Sequence, residues 1–289
     1  MPKVAVVTDT NSAVLPEEAK ALGFESLAMP FSIDGKEYRE GVDLTHEEFY
    51  RQMEAGADIV TSQPSPGMIM ELWDELLKTH DELVYIPMSS GLSGSYQTAQ
   101  MLSDDYDGKV QVVNNQRIGA TQGHSAEDAL ALAAQGKNAA GIKEILEREK
   151  FQASIYITLN TLYYLKKGGR ITPAAAAIGT LLKIKPVLTI QGEKLDAFAK
   201  VRTMVQAKNT MINAIKNDIE KRFNGDVSCL RFDIHHTTNE EAAGEFAEEV
   251  GQTFGVSKVP VINLPLSIAT HIGPGSLAIA ITKKIPELM

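Results

Sequence analysis

Short apolar runs alternate along the chain with longer stretches in which apolar residues recur every three or four positions. Runs typical of buried strands occupy residues 4–8, 83–88, 110–113, 154–158, 227–234, 259–263 and 277–281. Stretches with helical periodicity occupy residues 96–104, 126–134, 142–150, 204–223 and 239–254. This alternation predicts an α/β fold. We expect two domains: residues 1–150, a mostly parallel sheet flanked by helices, and residues 151–289, a mixed α/β domain.

A local turn signal interrupts this pattern near the N-terminus. Asp34 and Gly35 lie between two strand-like runs, residues 26–33 and 36–40. An Asp-Gly pair is typical of a two-residue hairpin, because both central positions of that turn need positive φ angles. The sequence therefore predicts a β-hairpin here.

The composition limits the classes of protein to which the chain can belong. Its 289 residues are 44% hydrophobic and 22% charged, which is typical of a globular protein. The net charge of -9 argues against nucleic-acid binding, because neutralising phosphates requires a basic face. Neither a secretory signal nor an apolar run of about 20 residues is visible, so we expect a cytoplasmic protein without an integral membrane segment. The one cysteine, Cys229, predicts a buried strand residue.

The stretch that says most about chemistry is residues 88–95, which follows a predicted strand and opens a predicted helix. The N–H groups and the positive dipole end at such a helix start favour an anion. Ser93 adds a hydroxyl, and Gly94 lets the backbone approach a ligand. The stretch therefore predicts an anion site. The alternative is an ordinary strand-to-helix turn in which Ser95 caps the helix.

A second hydroxyl-rich stretch, residues 60–66, has the same character. Thr61 and Ser62 follow an apolar pair, where a parallel strand would end. Ligands of open α/β sheets bind outside the carboxyl ends of the strands, so we expect these residues and Ser93 to share one sheet edge. The alternative is that this stretch only begins a helix, with Ser65 as its cap.

Three basic side chains are further candidates. Arg170 follows the Gly168-Gly169 turn that ends a short predicted helix, and its planar guanidinium suits a carboxylate or a phosphate. His271 lies in a predicted glycine-rich loop, where an imidazole can donate to an anion or move a proton. Arg202 is predicted to lie on an exposed strand or an interface. For each of them, an incidental or solvated side chain is the alternative interpretation.

The chain also contains an unusual helix and lacks familiar motifs. Residues 173–182 are apolar nearly all round, so we expect this helix to be buried or to pack tightly on a neighbour, with the wall of an apolar tunnel as the sharper expectation. The sequence contains no G-x-x-x-x-G-K-[ST] loop, no G-x-G-x-x-G fingerprint, no H-E-x-x-H and no Cys/His metal spacing. We therefore expect no metal and no cofactor, and any phosphoryl transfer would need the nucleotide machinery of another protein.

Six stretches, in order along the chain, resemble the motifs of the DegV family. They are residues 8–12, 40–44, 61–65, 89–99, 165–171 and 271–275. Together they span nearly the whole chain, which makes the resemblance specific. One departure is residues 113–117, where relatives usually carry an Asp-Ser pair after the strand, and we assign no role there.

The resemblance implies a two-domain α/β fold that holds a fatty acid between or within its domains. Members of the FakB type bind a long-chain fatty acid and dock on an ATP-dependent fatty acid kinase subunit, which converts the carboxylate to an acyl phosphate for phospholipid synthesis. The positions expected to contact the ligand are Thr61, Ser62, Ser93, Gly94 and His271. Arg170 and His271 would serve the transferred phosphoryl group, and Arg202 resembles the basic residue used for docking on the kinase. The chain would then not be an enzyme, and transient contact with a membrane is compatible with this role.

Other functions could use the same residues. A lipid transport or sensing protein would bind the same ligand without a kinase partner. A serine hydrolase is a remote alternative, because residues 91–95 resemble a nucleophile elbow and His271 follows later. However, the fifth position of that motif is Ser95 instead of glycine, and no acid stands out before His271. An interaction protein without a ligand would not need two glycine- and hydroxyl-containing stretches at strand ends.

Overall fold

The chain folds into two compact units. The computed structural model describes residues 2–178, 184–192 and 194–289. The first unit consists of Met1–Phe151, Pro265–Ser267 and Ile285–Leu288. The second consists of Gln152–Leu264, Ile268–Lys284 and Met289. After residue 151 the chain thus returns to the first unit twice, at residues 265–267 and 285–288. The expected division into residues 1–150 and 151–289 places both of these segments in the second domain.

A parallel sheet forms the centre of the first unit. The strands of this unit are β1 (Val4–Asp9), β2 (Glu25–Leu27), β3 (Pro30–Ile33), β4 (Lys36–Arg39), β5 (Ile59–Thr61), β6 (Glu82–Ile86) and β7 (Val110–Val112). Its helices are α1 (Pro16–Leu22), α2 (His46–Glu54), α3 (Pro66–Leu77), α4 (Ser95–Ser103), α5 (Ala120–Ala134) and α6 (Ala139–Arg148). The parallel strands lie in the order β2-β1-β6-β7.

The alternation of side chains along β1 explains why helices cover both faces of this sheet. Val4 and Val6 pack against α5 and α6 on one face. Ala5 and Val7 face the opposite way and pack with residues of α3 and α4. The predicted parallel sheet flanked by helices is confirmed.

The remaining strands of the first unit form a separate antiparallel sheet in the order β4-β3-β5. The predicted hairpin is confirmed, since Asp34 and Gly35 have φ angles of 50° and 81°. The single strand expected over residues 26–33 is instead two strands, β2 and β3, in different sheets. Pro30 begins β3, a position that tolerates its missing N–H. The prediction that Thr61 ends a parallel strand was wrong, because β5 pairs antiparallel with β3.

A mixed sheet forms the second unit, as predicted. Its strands are β8 (Ala153–Thr158), β9 (Lys185–Ile190), β10 (Asp196–Val201), β11 (Leu230–His236), β12 (Val261–Asn263) and β13 (Leu277–Lys283). Their order is β10-β9-β8-β13-β11-β12, with only β11 and β12 parallel among these described strands. The helices are α7 (Tyr163–Gly168), α8 (Pro173–Ile178), α9 (Met204–Arg222), α10 (Glu240–Phe254) and α11 (Leu266–Ile272), which begins within the first unit.

Helices α9 and α10 pack on one face of the mixed sheet and form its core with Phe232, Ile279 and other apolar residues. Cys229 is buried as predicted, but it lies in the turn directly before β11 and not in the strand itself. Residues 179–182 of the predicted Ala-rich helix lie outside the described residues, so the tunnel wall stays a prediction. Among the described helices, none is both long enough and apolar enough to cross a membrane.

Candidate functional site

The parallel sheet has a topological switch point between β1 and β6. From β1 the chain continues to β2 on one side, and it later returns to β6 on the other side. Two polar segments leave the carboxyl ends of these strands, residues 10–12 after β1 and residues 88–94 after β6. Open α/β sheets bind ligands in the crevice at this place. The predicted Ser93 site therefore lies where the topology favours a ligand.

The Ser93 hydroxyl is oriented by the start of α4. Its oxygen accepts a hydrogen bond from the Ser95 backbone N–H at 3.2 Å and lies 2.8 Å from the Ser95 hydroxyl. The alternative in which Ser95 caps α4 is wrong, because Ser95 is the first helical residue and Gly94 occupies the cap position. Ser93 is half-buried, and Gly94 is exposed. A hydroxyl and a helix N-terminus are thus presented together, an arrangement that suits an anion.

The two hydroxyl-rich stretches belong to different sheets, so the expectation of one shared sheet edge was wrong. They nevertheless meet through Gln63, whose Nε2 donates to the Thr98 hydroxyl of α4 at 2.9 Å. A Cβ atom on Gly94 would lie only 2.8 Å from Oε1 of Gln63, so this glycine lets the two stretches approach. Thr61 is half-buried and Ser62 is exposed. Ser65 also caps α3 by accepting the Met68 N–H, as the alternative interpretation required.

In the second unit, the structure brings Arg170 and His271 together. Helix α7 ends at Gly168, and Gly169 has the left-handed φ angle of 67° that the Gly-Gly pair predicted. Arg170 is exposed, and its guanidinium donates to the Gly168 carbonyl. A Cβ atom on Gly168 would lie 2.2 Å from Nδ1 of His271, so the imidazole lies directly against the end of α7.

The environment of His271 differs from the predicted glycine-rich loop. The residue lies in the last turn of α11, and the turn begins only at Gly273, whose φ angle is 73°. Thr237 holds this turn, since its hydroxyl lies 2.7 Å from the Gly273 carbonyl and accepts the Ser276 N–H at 3.0 Å. Tyr164 lies so close to Gly273 that a Cβ atom there would be 2.3 Å from its ring. His271 therefore has a firmly packed support on its C-terminal side.

Burial, together with the nearby charge of Arg170, lowers the pKa of His271 to about 4. The imidazole is thus neutral near pH 7 and can donate one N–H to a carboxylate. We expect an NMR titration of the ligand-free protein to give a His271 pKa below its ordinary value of 6.5. Arg170→Gln should raise the pKa of His271 only in part, because burial is the larger of the two causes that lower it. Binding of a carboxylate beside the imidazole should raise the pKa further. A His271 pKa near 6.5 in the ligand-free protein would contradict this prediction.

Arg202 directly follows β10, in the short connection to α9. It is exposed, and its N–H donates to Oε1 of Gln206 at 2.9 Å. It lines a polar surface groove of about 600 Å³ together with Lys200, Gln206, Asn209, Thr210 and Asn213. The exposed strand end matches the sequence interpretation, and the docking role stays a prediction.

The sequence interpretation gave no role to several buried polar residues behind the Ser93 loop. We call Asp9, Thr10, Asn11, Glu40 and Ser267 the buried polar cluster. Residues 9–11 could have been noticed, because they form a polar run at the carboxyl end of a buried strand. Glu40 carried a signal only as the first residue of the family-like motif at residues 40–44, and Ser267 carried none. No group of acidic, histidine or cysteine side chains suited to a metal ion occurs in the described part of the chain.

Comparison with known proteins identifies relatives over the whole chain. The model of the DegV family, described as uncharacterised proteins, matches residues 3–284. A DegV domain-containing protein of Staphylococcus aureus is 29% identical over 284 residues, covering 98% of this chain and 100% of the relative. One from Clostridium acetobutylicum is 30% identical over 282 residues, covering 96% of each chain.

Solved structures agree with this assignment. A DegV family protein from Thermus thermophilus, described as binding fatty acid, has a TM-score of 0.88 at 28% identity and covers 97% of this chain and 99% of its own. A fatty-acid-binding DegV family protein from Streptococcus agalactiae has a TM-score of 0.87 at 28% identity. The match covers 98% of this chain and 100% of that protein's chain. Since the family model matches nearly every residue, the chain belongs to the DegV family.

Proposed function

We propose that this protein binds a long-chain fatty acid and presents its carboxylate to a separate ATP-dependent fatty acid kinase subunit, which converts it to an acyl phosphate. The observation that carries the proposal is the similarity over the whole chain to DegV structures described as fatty-acid-binding. The kinase step rests on the resemblance to the FakB type. It also fits a sequence that lacks nucleotide-binding motifs. The chain would then present a substrate and leave the phosphoryl transfer to its partner.

The two ends of a fatty acid make different physical demands. Burying about a dozen methylenes contributes roughly 10 kcal/mol before the costs of binding. A carboxylate is expensive to bury unless hydrogen-bond donors surround it. The Ser93 hydroxyl, the start of α4 and a neutral His271 imidazole are donors of the required kind.

We assign the carboxylate to Thr61, Ser62, Ser93, Gly94 and His271. Arg170, exposed beside His271, would offset charge that develops on the phosphoryl oxygens during transfer. Arg202 would contact the kinase subunit through its exposed groove. These roles separate binding, transfer and docking, so each can be tested by its own variant.

Extraction of the purified protein with organic solvent tests the ligand directly. We expect mass spectrometry of the extract to find one fatty acid per chain, whose mass gives the chain length and unsaturation. If the extract contained no lipid and the protein took up no added fatty acid, the proposal would be overturned. Binding of a different small anion at Ser93 would then be the better hypothesis.

Variants then separate the assigned roles. Ser93→Ala should weaken palmitate binding about tenfold, the loss of one charge-assisted hydrogen bond, and Ser90→Ala in the same loop is the matched control.

Arg170→Ala should keep palmitate bound but slow acyl phosphate formation by an added kinase subunit. Arg202→Ala should weaken association with that subunit. Turnover equal to wild type in both Ser93→Ala and Arg170→Ala would count strongly against these roles.

The alternatives make different predictions. A transport or sensing protein would bind the fatty acid but would not co-purify with an ATP-binding subunit. A serine hydrolase would need an activated Ser93, whereas the described hydrogen bonds of its hydroxyl run to Ser95. Labelling of Ser93 by a fluorophosphonate probe would favour the hydrolase.

A further inference from the structure

The carboxylate of Asp9 holds the beginning of the Ser93 loop. Asp9 is fully buried at the carboxyl end of β1. Its Oδ2 accepts the Met88 N–H at 3.0 Å, at the point where the chain leaves β6. The Ser89 carbonyl then accepts the Leu92 and Ser93 N–H groups at 3.0 and 3.2 Å. Asp9 is thus linked to Ser93, which we assign to the ligand, through these hydrogen bonds and the backbone of residues 88 and 89.

The carboxyl group of Glu40 holds the beginning of α11. Glu40 is fully buried, and its two oxygens face the first residues of this helix. Oε1 accepts the Leu266 N–H, and Oε2 lies 3.0 Å from the Ser267 hydroxyl. Oε2 also accepts the Thr10 hydroxyl at 2.7 Å. His271 lies four residues after Ser267, one turn along the same helix.

Asn11 connects these two anchors. Its Nδ2 donates to Oδ1 of Asp9 at 3.0 Å, and its Oδ1 accepts the Ser267 hydroxyl at 2.7 Å. All these contacts lie within the first unit, because Pro265–Ser267 belongs to it. One side chain therefore joins the anchor of the Ser93 loop to the anchor of the helix that carries His271.

The Ser267 hydroxyl is the critical member of this connection. It has one proton and two acceptors within reach, Oδ1 of Asn11 and Oε2 of Glu40. If Glu40 carries a proton, it donates to the Ser267 oxygen, and Ser267 donates to Asn11. Each of these two contacts then has a donor and an acceptor. If Glu40 is ionised, the single Ser267 proton serves only one of them, and in the other the Ser267 oxygen faces an acceptor oxygen without a proton between them.

We propose that Ser267 is a positioning residue for carboxylate recognition, which holds the start of α11 to Asn11 and, through Asp9, to the Ser93 loop. The proposal rests on the proposed function, in which Ser93 and His271 receive the carboxylate. Its buried hydroxyl is occupied by Asn11 and Glu40, so Ser267 would act through α11 and not through contact with the ligand. It keeps the first turn of α11 fixed, so that the imidazole at the other end of this short helix stays in place.

The test compares binding of palmitate with binding of its uncharged methyl ester to the delipidated full chain. Ser267→Ala should weaken palmitate binding about fivefold to tenfold, the usual consequence of one lost buried hydrogen bond, and leave ester binding within about twofold. Ser103→Ala is the matched control, since it also removes a buried serine hydroxyl that donates to a nearby carbonyl. This control should leave the ratio of the two affinities unchanged.

The outcomes separate the two proposals. Equal losses for acid and ester in Ser267→Ala, or no loss, would overturn the positioning role. An unchanged ratio in Ser93→Ala would instead overturn the assigned carboxylate site itself. Should Ser267→Ala fail to fold, Asn11→Ala breaks the same connection from the other side and should change the ratio in the same direction. The His271 ring signals in NMR spectra should also shift in Ser267→Ala and stay unchanged in Ser103→Ala.

Discussion

Gly168→Ala is expected to weaken fatty acid binding by more than tenfold without unfolding the protein. The added Cβ atom would lie 2.2 Å from Nδ1 and 3.0 Å from Cε1 of His271, far inside normal contact distances. Gly168 has no positive φ angle, so alanine fits the backbone and even favours the last helical turn by roughly 0.5–1 kcal/mol. The imidazole must therefore move, and the carboxylate loses a donor.

Titration of palmitate into delipidated protein, with urea unfolding in parallel, measures both quantities. Gly244→Ala is the control, because this glycine also lies in a helix and a Cβ atom there meets nothing within 4 Å. The control should bind palmitate like wild type. If Gly168→Ala bound palmitate as tightly as the control, the position of His271 would not matter for binding.

A second large effect concerns the pH dependence of stability. Burial raises the pKa of Glu40 from 4.5 to about 7, against the opposing hydrogen bonds from Thr10, Leu266 and Ser267. Between these two pKa values the folded protein holds a proton that the unfolded chain has released. The stabilisation is therefore complete below about pH 4.5, and it is lost as the pH rises through about 7. A shift of this size corresponds to about 3 kcal/mol.

Glu40→Gln provides the comparison, since glutamine keeps the shape and an oxygen for the Leu266 N–H but cannot ionise. Urea unfolding at several pH values from 5 to 8 should show wild type losing stability relative to this variant as the pH rises. Asp9, His235 and His271 also have shifted pKa values, but they are present in both proteins and cancel in the difference. Parallel stability curves would mean that Glu40 is ionised throughout this range.

Features that depend on neighbouring residues could be predicted from the sequence. The hairpin at Asp34 and Gly35 and the helix end at Gly169 follow from the backbone freedom of these few residues. The parallel sheet followed from the alternation of strands and helices. The Ser93 loop was found for the same reason, because a strand end, two glycines and a helix start adjoin one another in the sequence.

Features that depend on distant partners could not be predicted. Strand β5 has only three residues, and it pairs antiparallel with β3 of the distant hairpin. Phe31, for example, lies opposite Thr61, which follows it by 30 positions. The Ser267 hydroxyl meets Asn11 across 256 positions of sequence. Helix α11 has only seven residues, too few for a clear helical period, so His271 was expected in a loop. The residues proposed for the site were thus chosen from the sequence, while the residues that hold them in place became visible only in the fold.

The return of the chain to the first unit has a consequence for how the protein is made. Ile285 is buried in the core of that unit, and Arg148 of α6 pairs with Glu287 at 2.6 Å. Ser267 completes the buried polar cluster from a similarly late position. At about 5–20 residues per second, a ribosome needs several seconds or more to extend the chain from residue 151 to these segments. During that interval the nascent first unit lacks part of its core and exposes apolar surface, so its folding is completed only after residues 265–267 and 285–288 have been synthesised.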